Sequence, residues 1–198
     1  MAERRNMQAK PAAQLQWLDI GAPGPRVLVP VPLLASWSGN LPPTDGRVIE
    51  AEFRWQADGS ATDYDRACDV MSAAAAIPVG TGQAIVLYVE GDMPVAWAPL
   101  ERGGILLAKL YTIEDPGLPE QLPEMPEVLP WEFLGEFTTD GSALRLMHAA
   151  EVGEEEPVFD TMDIPLMAGQ YRMESATLRD PRMELWLVSL QPTEGRPE

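Results

Sequence analysis

Pro116, Pro119, Pro123, Pro126 and Pro130 punctuate one stretch of this chain every three to four residues. Each proline lacks a backbone N–H and clashes with a preceding helical turn, so the stretch can be neither a helix nor a central strand. It reads as an extended, semi-rigid linker over 115–130, mixed with glutamate. The same constraint runs through the whole chain, which holds 20 Pro and 16 Gly among 198 residues. Such spacing favours many short elements and turns over long helices. The combined share stays below the roughly 25–30% of a low-complexity chain. With 45% hydrophobic residues, a core can form without a disulfide or a structural metal.

Residues 1–14 are polar and Ala-rich and are expected to be a disordered tail. Order should begin near Trp17. Arg26 to Val31 reads as a strand, with Pro30 and Pro32 placing it at an edge or marking its end. Leu33 to Trp37 suits a short helical turn, and 41–46 suits a turn. Arg47 to Trp55 alternates as a half-buried strand, and 57–61 reads as a loop. Thr62 or Asp63 can cap a helix running to Ser72. Gly80-Thr81-Gly82 divides two apolar runs as a hairpin turn. Val95–Ala98 and Ile105–Tyr111 read as further strands. After the linker, Trp131–Thr138 alternates with Trp131, Phe133 and Phe137 on one face. Asp140-Gly141 signals a hairpin turn into Ala143–Ala150. Gln170–Leu178 and Met183–Leu190 are joined through Asp180-Pro181. The expected fold class is α+β, β-rich, in two lobes: an N-terminal α+β lobe at 15–114 and a mainly antiparallel β unit at 131–191, followed by a tail at 192–198.

The charge is lopsided. Between Tyr111 and Pro165 lie fourteen carboxylates and one base, Arg145, a net −13 out of −17 for the chain. A field of that sign repels nucleic acid and anionic membrane and attracts basic proteins. The apolar run Val27 to Ala35 is broken by Pro30 and Pro32 and falls short of the about 20 residues that a spanning helix needs. The single cysteine, Cys68, can make no internal disulfide and fits a reducing compartment. The expected location is the cytoplasm, with neither nucleic acid nor membrane as partner.

No catalytic set stands out. His148 is the only histidine and has no nucleophile or carboxylate at a recognised spacing, so it reads as a core or rim residue. Asp63, Asp65 and Asp69 do not follow the ladder of a calcium loop, and helix capping explains them. Gly80-Thr81-Gly82 lacks the rest of a phosphate-binding loop. Cys68 sits in an apolar context and reads as a small buried hydrophobe. No cofactor or metal is expected, and the chain is read as no enzyme. Glu151, Glu154, Glu155, Glu156 and Asp160 form an acidic loop. With the linker acids Glu120, Glu124 and Glu127 they are candidates for gripping a cationic partner. Trp131 or Trp97 could supply its apolar centre. Two other classes stay open: a small-molecule-binding or hydrolytic protein with an interlobe pocket, and a secretion adaptor or chaperone.

Several segments resemble the immunity protein 21 family of bacterial polymorphic toxin systems. They are Gly24-Pro25-Arg26-Val27-Leu28-Val29-Pro30 with Leu33-Leu34-Ala35-Ser36-Trp37-Ser38-Gly39, then Asp63-Tyr64-Asp65-Arg66-Ala67-Cys68, then Ile77 to Leu87 around Pro78-Val79-Gly80-Thr81-Gly82. Pro165 to Arg172 and Leu187 to Leu190 match more loosely. The resemblance implies a bacterial cytosolic protein that binds and neutralises a cognate toxin domain by stoichiometric inhibition. A basic toxin such as a nuclease would suit the acidic window, with carboxylates standing where phosphates would sit.

Overall fold

The computed structural model describes residues 15–40, 62–89, 91–110, 117–126, 128–180 and 183–193. The expected turn at 41–46, strand at 47–55, loop at 57–61 and tail at 1–14 lie outside these residues.

The strands are β1 (Gln16–Leu18), β2 (Arg26–Pro30), β3 (Ala74–Val79), β4 (Gly82–Leu87), β5 (Val95–Pro99), β6 (Gly104–Leu110), β7 (Glu132–Thr139), β8 (Leu144–His148), β9 (Met162–Ile164), β10 (Gly169–Asp180) and β11 (Met183–Pro192). Among the described residues a 3₁₀ turn spans Val31–Ser36 and an α-helix, α1, spans Asp63–Cys68. The fold is β-rich α+β, and every pairing is antiparallel. A six-stranded sheet runs β1-β5-β6-β11-β10-β7, and a five-stranded sheet runs β3-β4-β2-β8-β9.

The two sheets pack face to face. Leu28, Ile85, Leu144 and Leu146 of the smaller sheet meet Trp97, Leu106, Phe137, Met173 and Leu190 of the larger one in a single apolar cluster. Each sheet is also covered on its other face. Leu34, Trp37, Ala67 and Val70, from the 3₁₀ turn, α1 and their flanks, cover Val27, Val29, Val86 and Met147 of the smaller sheet. Leu15, Leu122, Met125, Leu129 and Trp131 cover Ile105, Leu107, Leu185 and Leu187 of the larger. Burial on both faces explains why Val27-Leu28-Val29 and Ile105-Leu106-Leu107 are unbroken apolar runs.

Several expectations change in detail. The proline stretch is extended, but it lies against the outer face of the larger sheet. Glu120 O accepts Leu15 N–H at 2.7 Å, and Pro119 O accepts the Trp17 indole N–H at 2.7 Å. The strands before and after that stretch are interleaved: β6 pairs with β11, and β2 pairs with β8. Asp140-Gly141 makes a corner between the sheets, not a hairpin. β7 pairs with β10, whereas β8 pairs with β2 and β9. The Asp140 carboxylate accepts the Ser142 N–H at 2.9 Å, which holds its pKa below the usual carboxylate value. Phe133 and Phe137 do not share a face. The β7–β10 register shifts between Met173 and Glu174, where Gly135 has φ 141°, and such a bulge reverses the alternation. Phe137 enters the intersheet core, while Phe133 is exposed with the Arg172 guanidinium 4.2 Å from its ring centre. β2 is a central strand that Pro30 terminates.

Of the two expected caps, Thr62 is the one used, and the helix begins at Asp63. The Thr62 hydroxyl accepts Asp65 N–H at 3.0 Å and Asp65 accepts Thr62 N–H at 2.8 Å, a capping box. It stops at Cys68, short of Ser72, because Val70 turns into the core and Ser72 already donates to Ala74 O at the start of β3.

Candidate partner-binding loop

Three of the segments that carried the family resemblance, those holding Ser38, Asp63 and Pro78, meet at one corner. The Asp63 carboxylate accepts Ser38 N–H at 2.7 Å and the Ser38 hydroxyl at 3.0 Å, and pairs with Arg66 at 2.7 Å. Arg66 also donates to Pro78 O at the end of β3. Asp63 and Asp65 therefore fasten a helix N-terminus. Among the described residues, no three His, Cys, Asp or Glu converge as a metal set. Burial pushes the Cys68 thiol pKa up, away from the nucleophilic thiolate.

At the same corner His148, at the end of β8, lies opposite Arg26 in register. Its Nε2 is 3.0 Å from Pro23 O, and its Nδ1 accepts the Ala150 N–H at 3.1 Å. A carbonyl can only accept and an N–H can only donate, so this pair of contacts assigns the neutral ring with its proton on Nε2. Tyr64 stacks on one side at 6.0 Å between centroids, and Phe159 tilts against the ring at 5.3 Å. Burial lowers the His148 pKa. Burial likewise lowers that of Arg26, whose guanidinium donates to Gly24 O at 2.5 Å and Ala22 O at 2.9 Å. Gly24, at φ 125°, is needed here: a Cβ would sit 2.9 Å from the Tyr64 hydroxyl and 3.1 Å from His148 Nε2.

The acidic loop grows from this corner, between β8 and β9. Its base is pinned by Ala149 N–H to Pro25 O, Asn40 N–H to Ala150 O, Glu151 N–H to His148 O and Gly153 N–H to Trp37 O. Glu151 is only 8% exposed. Its carboxylate turns inward and accepts Val158 N–H at 3.2 and 3.3 Å and Phe159 N–H at 3.2 Å, closing the loop on itself. Glu154, Glu155, Glu156 and Asp160 are exposed, and beside them Val158 is 84% exposed. Arg145, the one base of the acidic window, is bound to Asp163 at 2.9 Å. Glu151→Ala is expected to cost about 1–3 kcal/mol by leaving inward-facing N–H groups without an acceptor. It should also raise amide exchange at Val158 and Phe159, and unchanged exchange there would refute the clamp.

The remaining candidates lie elsewhere. Glu120 and Glu124 are exposed on the proline stretch, against the larger sheet, whereas the loop base packs on the 3₁₀ turn over the smaller one. Glu127 lies outside the described residues. Trp131 is half-buried on the larger sheet. Trp97 is 7% exposed inside the intersheet core, so it is no surface anchor, and its indole N–H has no partner. Sequence reasoning missed the clamp by Glu151 and the exposed Val158. The available signal was Val158 itself, an apolar residue inside a run of acids and proline.

A recess between the sheets is lined by Ala73, Leu87, Tyr88, Val95, Leu106 and Trp186 among others, with Tyr88 and Trp186 stacked at 6.3 Å; among the described residues no carboxylate lines it. Among the described residues no helix is long and apolar enough to cross a membrane. A model of the family described as Immunity protein 21 matches residues 16–182. No curated protein and no solved structure matches the chain.

Proposed function

Because the chain belongs to the immunity protein 21 family, we propose that it binds a cognate bacterial toxin domain of basic character, such as a nuclease. It neutralises that domain by occupying its cationic surface, one molecule to one, without catalysis and within the cytoplasm. The observation that carries this reading is the clamped acidic loop. Glu154, Glu155 and Glu156 stand in solvent on a backbone closed by Glu151, and Val158, two residues beyond Glu156, is exposed as well. A loop held before encounter loses less conformational entropy on binding. Opposite potentials can lift association to about 10⁸–10⁹ M⁻¹s⁻¹ at low salt, against roughly 10⁵–10⁶ without steering. Glu120 and Glu124, with Trp131 beside them, make a second acidic contact zone on the other sheet. The described lining of the recess between the sheets is apolar and aromatic, which lends the hydrolytic alternative no support.

The test is co-expression with the cognate toxin domain, sought first in the neighbouring gene, followed by titration calorimetry of the purified pair. Cell survival with loss of toxin activity in vitro at a 1:1 ratio supports the reading. Survival with toxin activity intact points to an adaptor or chaperone and overturns it.

A further inference from the structure

The acidic loop is fastened through a neutral imidazole, whose Nδ1 accepts the Ala150 N–H. We infer that His148 is a pH-sensitive fastening, and that its protonation releases the base of the loop spanning 150–160.

The geometry leaves the ring no room for a second proton. Nε2–H already donates to Pro23 O, and Nδ1 is the acceptor of the Ala150 N–H at 3.1 Å. A proton on Nδ1 sets two donors against each other and breaks that bond. Ala150 is the residue whose carbonyl holds Asn40 N–H, and the next residue, Glu151, is the clamp. Phe159, at the far end of the clamp, rests on the same ring. One protonation therefore disturbs both ends of the loop.

The charged and titratable groups around the ring come from each element packed on it. Arg26 faces it from β2, and its positive charge opposes a second cation. Asp19 and Asp92 act on Arg26. Tyr64 stacks from α1, its phenol near the Cys68 thiol. Glu151, on the loop side, favours the charged ring. Burial, the largest influence, holds the His148 pKa below its ordinary value against the Pro23 carbonyl and Glu151, with Arg26 adding to the depression. The direction of the linkage follows. Unfolded chain takes up this proton near pH 6.5, and the folded ring takes it up only at lower pH. The stabilisation from the neutral ring is complete above about pH 6.5 and is lost as pH falls from there toward the folded value.

His148 is the chain's single histidine, so its ring-proton resonances assign themselves. The experiment follows those resonances, together with backbone amide protection factors, from pH 7.5 to 5.0 in the free protein. The expected result is a ring that titrates below free histidine, with protection at Ala150, Glu151, Val158 and Phe159 falling along the same curve while β10 and β11 stay protected. The wild-type melting temperature should drop by about 2–4 °C over that range. In His148→Gln, which never charges and can donate to Pro23 O, the drop should be absent. Titration at or above the free value, or loop protection that ignores the ring, overturns the inference. If the variant fails to fold, the wild-type ring curve set against loop protection still decides. These readouts need no toxin, so they stand or fall apart from the proposed function. The link to that function is tested separately, as faster dissociation of the toxin complex at pH 5.5 in wild type but not in His148→Gln.

Discussion

Replacing Trp37 with alanine is expected to remove about 3–5 kcal/mol of stability, a large part of the roughly 5–15 kcal/mol that holds a domain folded. Trp37 is 1% exposed and fills the layer between the 3₁₀ turn and the smaller sheet, packed with Val27, Val29 and Met147. Its indole N–H donates to Ala149 O at 3.0 Å, and its backbone carbonyl accepts Gly153 N–H. Truncation would open a cavity and also leave the Ala149 carbonyl without its donor. Trp37→Phe keeps most of the apolar volume and loses the hydrogen bond, so it should cost about 1–3 kcal/mol. Urea unfolding of the pair separates the two contributions. A loss under about 1 kcal/mol for Trp37→Ala would contradict the layer as described.

The second large effect concerns binding rate. Glu154→Gln, Glu155→Gln and Glu156→Gln together are expected to slow association with the toxin domain by about tenfold at low ionic strength. Dissociation should change little, because exposed rim charges act on encounter more than on the formed contact. The difference should close near 1 M salt, where screening acts over about 3 Å. The three side chains are exposed, so the variant should keep its fold. Stopped-flow rates across a salt series check this. The same rate and salt slope as wild type would remove this loop from the mechanism.

What could be read from the chain beforehand divides by sequence distance. The β3–β4 hairpin was legible because Gly80-Thr81-Gly82 announces its own turn, and β10–β11 because two apolar runs flank Asp180-Pro181. The start of the helix was legible because Thr62 and Asp63 are both capping residue types, whereas the reciprocal bond from Asp65 back to Thr62 came only with the structure. The partnership of β2 with β8 was not, since Arg26 and His148 carry no mark of each other. The docking of the proline stretch was also hidden. Its prolines state that it is extended, whereas Leu122, Met125 and Leu129 had to find a sheet face built from distant strands. In the candidate site the acids were visible as charge, but charge does not tell direction. Glu151 and Glu154 are the same residue type in the same loop. One turns inward to two N–H groups in the turn whose backbone His148 pins, where Glu151 N–H donates to His148 O, and the other has solvent.

The larger sheet has its C-terminal-most described strand near its middle, since β11 lies between β6 and β10. During synthesis, β5 and β6 must therefore wait, with one flank open, for a strand made some seventy residues later. Folding with such separated partners is slow compared with local hairpin formation, and neither half can close its sheet alone. Two fragments cut within the proline stretch should each be unstructured in isolation. Mixed, they should reassemble into one native particle, as a split reporter does.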